Sequence, residues 1–128
     1  MKTIGIGVDI VSNKRIKSSI KNKNFLIRLY GKNEIINLKK VHNKTNYLSK
    51  RFAAKEALAK AIGTGFRDGL NFKDIEILNN KLGKPYYVLG SKLKALIIKK
   101  KKIKNFNLFL SISDEKDYSV AFAIIQAT

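Results

Sequence analysis

The stretch RFAAKEALAKAIGTG at 51–65 constrains the fold more than any other part of the chain. Its alanines, interspersed with Lys, Glu and Leu, are strong helix formers and predict one helix closed by a glycine turn. Ser49 is the expected N-cap and Gly63 the expected C-terminal stop. Phe52, Ala59 and Ile62, flanked by Ala54 and Leu58, form the expected buried face. Glu56 follows Phe52 by four residues and precedes Lys60 by four, so all three fall on one stripe. A carboxylate at the margin of a buried face needs a partner. Lys60 would serve at helical spacing, and so would a metal ion. The plain alternative is an ordinary surface ion pair.

The rest of the chain supplies partners for that helix. Residues 3–11 alternate as a strand, with Ile4, Ile6, Val8 and Ile10 on one face, expected to be core. Gly5, Gly7 and Asp9 share the other face. Glycines weaken a strand unless something approaches its backbone closely. Either a helix packs tightly there, with Asp9 capping the next helix, or the glycines clear a floor beside a metal-binding carboxylate. Ser12 is expected to cap a basic helix reaching about Ile20. Two helical pieces at 24–30 and 32–40 break at Gly31, and the polar stretch 41–48 is expected to loop, leaving His42 at the surface. Beyond the central helix, 64–71 is a glycine-rich connection. Residues 72–78 and 86–89 predict a β-hairpin, with Gly83 available for positive φ. Ser91 is expected to cap a helix to about Lys99, with Leu93, Leu96 and Ile97 inward. Two alternating strands, 106–113 and 118–126, meet at a turn over 114–117. The last strand is apolar on both faces, which predicts cover on two sides. These elements make an α+β fold in one domain, 1–128: an antiparallel sheet, holding the first strand and the C-terminal pair, packed against the central helix.

Composition removes several classes of function. The 128 residues include no cysteine, which excludes disulfides and cysteine-ligated zinc. No apolar run approaches the roughly 18 residues of a membrane span, and the N-terminus alternates instead of forming a signal segment. The expectation is a soluble cytoplasmic protein with no membrane association. The net charge of +18 favours a polyanionic partner. Most of the excess is Lys beside abundant Asn and Ile, the trio that A/T-rich coding supplies, so the charge permits an acidic partner without requiring one. A nucleic-acid-binding module is the rival class, but the chain has no RNA motif and its aromatics do not cluster with its lysines. There is no Walker A loop and no GxGxxG, and a single histidine argues against a Ser-His-Asp triad. Asp9 and Glu56 remain. They are hard oxygen ligands suited to Mg²⁺, which binds through one or two carboxylates plus substrate phosphates. Lys60, the Gly63-Thr64-Gly65 turn and Ser113-Asp114 are then candidate phosphate contacts. The turn lies past a helix C-terminus, where the dipole is negative, so lysines and the hydroxyl would carry that contact.

Four segments in order carry a family resemblance: GIGVDIVSNKRI at 5–16, the central FAAKEA helix, LGKPY at 82–86 and LSISDEKDYSVAFAII at 110–125. Together they resemble the holo-[acyl-carrier-protein] synthases, the small trimeric 4′-phosphopantetheinyl transferases, nearly end to end. The resemblance implies the 4′-phosphopantetheinyl transferase fold and a Mg²⁺-dependent reaction. In it, 4′-phosphopantetheine moves from coenzyme A to a serine of apo-acyl carrier protein, adenosine 3′,5′-bisphosphate leaves, and fatty acid biosynthesis is served. By motif, Asp9 and Glu56 match the metal ligands, and Lys60 matches a phosphate lysine; these three are the implied catalytic residues. Arg51, Gly63, Thr64, Lys84 and Pro85 fall in coenzyme A-contact regions, and Ser113 and Asp114 are placed near the 3′-phosphate. Many members carry histidine where this chain has Asp114, whose carboxylate repels phosphate unless a metal, lysine or water intervenes; closing the hairpin is its alternative role. Arg15, Lys21 and Arg28 on the basic first helices are the implied docking surface for an acidic acyl carrier protein. The family also implies a homotrimer with active sites between subunits, and no specific nucleic acid partner.

Overall fold

The computed structural model describes residues 1–63 and 70–128. Its order is β1 (Lys2–Ser12), α1 (Asn13–Ser19), α2 (Lys23–Leu29), α3 (Lys32–Leu38), α4 (Lys44–Ile62), β2 (Ile75–Asn79), β3 (Pro85–Leu89), α5 (Ser91–Lys101), β4 (Phe106–Asp114) and β5 (Tyr118–Ala127). Strands β1, β5 and β4 form an antiparallel sheet in that order, and β2 and β3 form a separate hairpin. Helix α4 lies against β1 and β5, with α1, α3 and β2 around its other sides. Leu48, Ala53, Ala54, Ala57, Leu58, Ala59, Ala61 and Ile62 are all buried as a result. The alanines let the helix come close to the sheet.

That close approach reverses one expectation. The glycines of β1 face α4 and Ile6, Val8 and Ile10 face outward, while Ile4, at the irregularity between Thr3 and Gly5, is partly buried against the core as expected. A Cβ built on Gly7 would lie 2.0 Å from the Ala57 carbonyl oxygen, and one on Gly5 2.2 Å from that of Ala61. Only glycine lets the two backbones meet, so the strand turns its bare side to the helix. Ile6, Val8 and Ile10 are therefore 61%, 53% and 63% exposed in the single chain. In register with them on β5 are Ile124, Phe122 and Val120, and Phe109 of β4 sits beside Ile124. The inner side of β5 is closed by Ala121, Ala123 and Ile125, all fully buried.

Several local signals act as expected. Ser12 caps α1 by accepting from the Arg15 amide. Gly63 ends α4 at φ 90°, and Gly83 turns the hairpin at φ 87°. His42 is exposed. Others are corrected. Helix α4 begins at Lys44, capped by the Asn43 side chain, so most of the expected loop is helix and Ser49 lies buried within it instead of capping it. The polar first turn is satisfied by its cap and by the β4–β5 end, where Asn46 donates to Asp114. Residues 72–74 form a short 3₁₀ turn ahead of β2. The N-cap of α5 is Gly90, not Ser91. Thr64, Gly65 and most of the glycine-rich connection lie outside the described residues.

Candidate active site

The stripe of α4 that the sheet leaves open is the one carrying Phe52, Glu56 and Lys60. It faces the end of β1 and helix α1 across a cleft of about 330 Å³. Asp9 and Arg15 line this cleft with Glu56 and Lys60, and Ile16, Phe25 and Phe52 supply its apolar wall. Phe25 stacks on Phe52 at 6.1 Å between ring centroids, and Phe52 on Phe72 at 5.5 Å, so the wall is a fixed aromatic column.

Lys60 pairs with Asp9 and not with Glu56, as helical spacing had allowed. Its Nζ donates to Asp9 Oδ1 at 3.0 Å and to the Val8 carbonyl at 3.0 Å. Asp9 does not cap α1, since Ser12 takes that role. Glu56 has no ion pair or hydrogen bond among the described residues. Burial raises its carboxyl above the usual range, the negative charge of Asp9 raises it further, and Lys60 opposes both. Two hard oxygen donors thus border one cleft, one of them without a protein partner. No group of three or more His, Cys, Asp or Glu able to hold a metal occurs among the described residues. This donor set fits a cation that takes one or two carboxylates and fills its other positions with water and phosphate oxygens, as Mg²⁺ does.

The remaining expected site residues fall into separate places on the chain. Arg51 is buried against α4, its guanidinium 3.6 Å from the Tyr47 ring centroid. It donates to the Tyr47 carbonyl at 3.3 Å and to the Asn79 side chain. Asn79 in turn donates to the Gly83 carbonyl at 2.9 Å, so Arg51 braces the hairpin turn that presents Lys84 and Pro85. Ser113 and Asp114 lie at the end of β4, and Asp114 borders a polar cavity of about 670 Å³ that Lys14, Lys17 and Lys116 also line. Glu115 and Asp117 line the same cavity, so its three lysines face three carboxylates. Gly63 stands one turn beyond Lys60. Arg15, Lys21 and Arg28 are exposed on and beside α1 and α2, and Arg15 reaches the two-carboxylate cleft itself.

One feature of the site's support escapes the sequence pattern. Lys55, next to Glu56, is fully buried and pairs with fully buried Glu34 at 2.6 Å. Its ammonium also donates to the carbonyls of Phe72 and Ile75. Glu34 receives the Gly31 amide at 2.9 Å and the Ile77 amide at 3.1 Å. The pair therefore ties α3, α4 and β2 together beside the Phe52–Glu56 stripe. Glu34 three residues after Gly31 is the spacing of a capping box, the one signal in sequence that marks it.

This small α+β fold has counterparts among known proteins. The model of the 4′-phosphopantetheinyl transferase superfamily matches residues 5–123, and the chain belongs to that superfamily. Within it, the likeness is to the holo-[acyl-carrier-protein] synthases. The chain is 60% identical to that of Pelagibacter ubique over 98% of both chains. The crystal structure of the Neisseria meningitidis synthase superposes with a TM-score of 0.86 at 40% identity, covering 97% of this chain and 98% of that one. The Bacillus anthracis synthase, in complex with CoA (3′,5′-ADP), gives a TM-score of 0.82 at 31% identity over the whole of both chains.

Proposed function

We propose that this protein transfers 4′-phosphopantetheine from coenzyme A to a serine of apo-acyl carrier protein, with Mg²⁺ held by Asp9 and Glu56. The observation that carries the reading is that Asp9, Glu56 and Lys60 line one cleft, with Lys60 paired to Asp9 and Glu56 left open, in a fold shared with the holo-[acyl-carrier-protein] synthases. When bound, the ion would supply charge stabilisation for a pyrophosphate. Lys60 holds its ammonium at the same cleft and is more than half exposed, so it can leave Asp9 for a phosphate oxygen at little cost. Glu56, which has no ion pair or hydrogen bond among the described residues, keeps its carboxylate free for the ion. Adenosine 3′,5′-bisphosphate is the leaving group, and the reaction serves fatty acid biosynthesis in the cytoplasm. Among the described residues no helix is long and apolar enough to cross a membrane.

Two features of the chain support a homotrimer in this reading, built from one 128-residue domain per subunit. The outer sheet face offers Ile6, Val8, Ile10, Phe109 and Phe122 to solvent, a contiguous apolar row that a second copy would cover. Lys84, Pro85, Ser113 and Asp114, expected coenzyme A contacts, are also absent from the lining of the Asp9–Glu56 cleft within a single chain. A site that uses them all would therefore take Ser113, Asp114 or the Lys84–Pro85 turn from a neighbouring subunit. Docking of the carrier on Arg15, Lys21 and Arg28 would be weakened by salt. The test is to incubate purified protein with apo-acyl carrier protein and coenzyme A, with Mg²⁺ or with EDTA, and to weigh the intact carrier. Gain of one phosphopantetheinyl group with Mg²⁺ only is expected. No gain, from a folded protein and a competent carrier, would overturn the reading.

A further inference from the structure

A second cavity, of about 540 Å³, shares no lining residue with the two-carboxylate cleft. It runs between the end of β3 and helix α5. Its floor is aliphatic: Val88 and Leu89 from the strand, Leu93 and Leu96 from the helix. Leu89 and Leu93 are buried, while Val88 remains 36% exposed, so the floor opens to solvent along one side. A Cβ built on Gly90 would meet nothing within 4 Å, so the space beside it is open.

The rim is cationic. Lys73, Lys92 and Lys99 line the opening, and none of them is ion-paired among the described residues. Lys92 and Lys99 stand seven residues apart on α5, which spaces them along roughly 10 Å of groove. Two carboxylates also touch the cavity. Glu76 is already committed to the start of α3: its Oε2 accepts the Asn33 and Glu34 amides, and its Oε1 accepts the Asn33 side chain. Asp74 stands at the edge, accepting from Asn71 at 3.4 Å. An apolar trough of this size with a few polar groups at its mouth is the form of a small-molecule site. Its charge selects the class of ligand: an aliphatic chain ending in an anion.

We propose that the groove between β3 and α5 binds a medium-chain fatty acid, its chain along Val88, Leu89, Leu93 and Leu96 and its carboxylate at the lysine rim. The inference is independent of the transferase reading, because the two cavities share no residue. It is tested on the whole protein, methyl-labelled, by NMR titration with octanoate, dodecanoate and dodecyltrimethylammonium, each below its micelle-forming concentration. Dodecanoate is expected to shift the methyls of residues 88, 89, 93 and 96 first, and to bind more tightly than octanoate by about fourfold per added buried methylene. Joint replacement Lys92→Glu and Lys99→Glu is expected to weaken binding at least tenfold. Ala95→Phe, at an exposed groove position, should fill the trough and weaken binding similarly, with transfer activity and the signals of β1, β5 and α4 unchanged. Equal binding of the cationic amphiphile would overturn the proposal. So would first shifts on the Ile6–Val8–Ile10 face, wild-type affinity in both variants, or no shift at millimolar dodecanoate.

Discussion

Replacing Lys55 with methionine deletes one ammonium from the middle of α4 and nearly preserves side-chain length. In the native chain that ammonium lies 2.6 Å from Glu34 Oε1 and 3.0 Å from the Phe72 carbonyl, and it also serves the Ile75 carbonyl. Neither side chain of the pair is accessible to solvent. Methionine would leave Glu34 buried without a counter-charge and two carbonyls short of a donor. Removing one partner of a buried pair costs about 3–5 kcal/mol, and the abandoned carbonyls argue for the upper end. Against a total stability of roughly 5–15 kcal/mol this is a large fraction. It corresponds to a fall in melting temperature on the order of 10–20 °C. The second replacement Glu34→Gln removes the stranded charge and keeps an acceptor for the Gly31 or Ile77 amide, so the double variant should recover part of the loss. Urea unfolding at neutral pH, followed by circular dichroism, measures both. A Lys55→Met variant within about 1 kcal/mol of wild type would show that the penalty of a broken buried pair is absent, and the ion pair would lose its structural role. A double variant no more stable than the single one would count equally against it.

Other consequences arise from the same contacts. Gly7→Ala places a methyl 2.0 Å from the Ala57 carbonyl oxygen and 2.7 Å from the Ala61 nitrogen. It should destabilise by about 1–3 kcal/mol and, by moving β1 off α4, lower transfer activity as well; thermal melts and the carrier assay check the two effects. Glu56→Gln should raise stability at neutral pH in EDTA. The folded carboxyl is raised by burial and by Asp9, so its penalty is fully present above the folded pKa and fades as pH falls toward the ordinary carboxylate value. Melts across pH 4–8 test this, and a variant less stable than wild type throughout would rule it out. Val8→Asp puts a charge at the centre of the exposed apolar row and should yield monomers by light scattering, with transfer lost and the single-chain fold retained.

Much of this fold is legible in the residues, and the failures share a physical cause. Signals confined to a few neighbours hold: Ser12 and Gly63 act as caps at opposite ends of their helices, and β4 and β5 begin and end within a residue of their alternation. Alternation in β1 tells which residues share a face, but not which face meets α4. The apolar side looks like core by composition, yet the helix approach selects the glycine side. Helix α4 starts early because Lys44, Thr45 and Asn46, polar enough to suggest a loop, are capped by Asn43 and held by Asp114. Glu56 and Lys60 are recognisable from their common stripe with Phe52. The partner of Lys60 is not, since Asp9 is 51 residues away and pairs with it only after the fold forms. Lys55 is the clearest case, as lysine is almost never fully buried unless paired, and its partner Glu34 lies 21 residues away.

The proposed reaction places Asp9 and Glu56 at the reactive end of the cleft, and each can be tested alone. The transfer rates of Asp9→Asn and Glu56→Gln, at saturating coenzyme A and carrier and with each protein first shown to be folded, decide it. Either substitution is expected to lower the rate by at least roughly a hundredfold, although Glu56→Gln is the more stable protein. Near-normal turnover by either variant, with its fold intact, would remove that carboxylate from the chemistry.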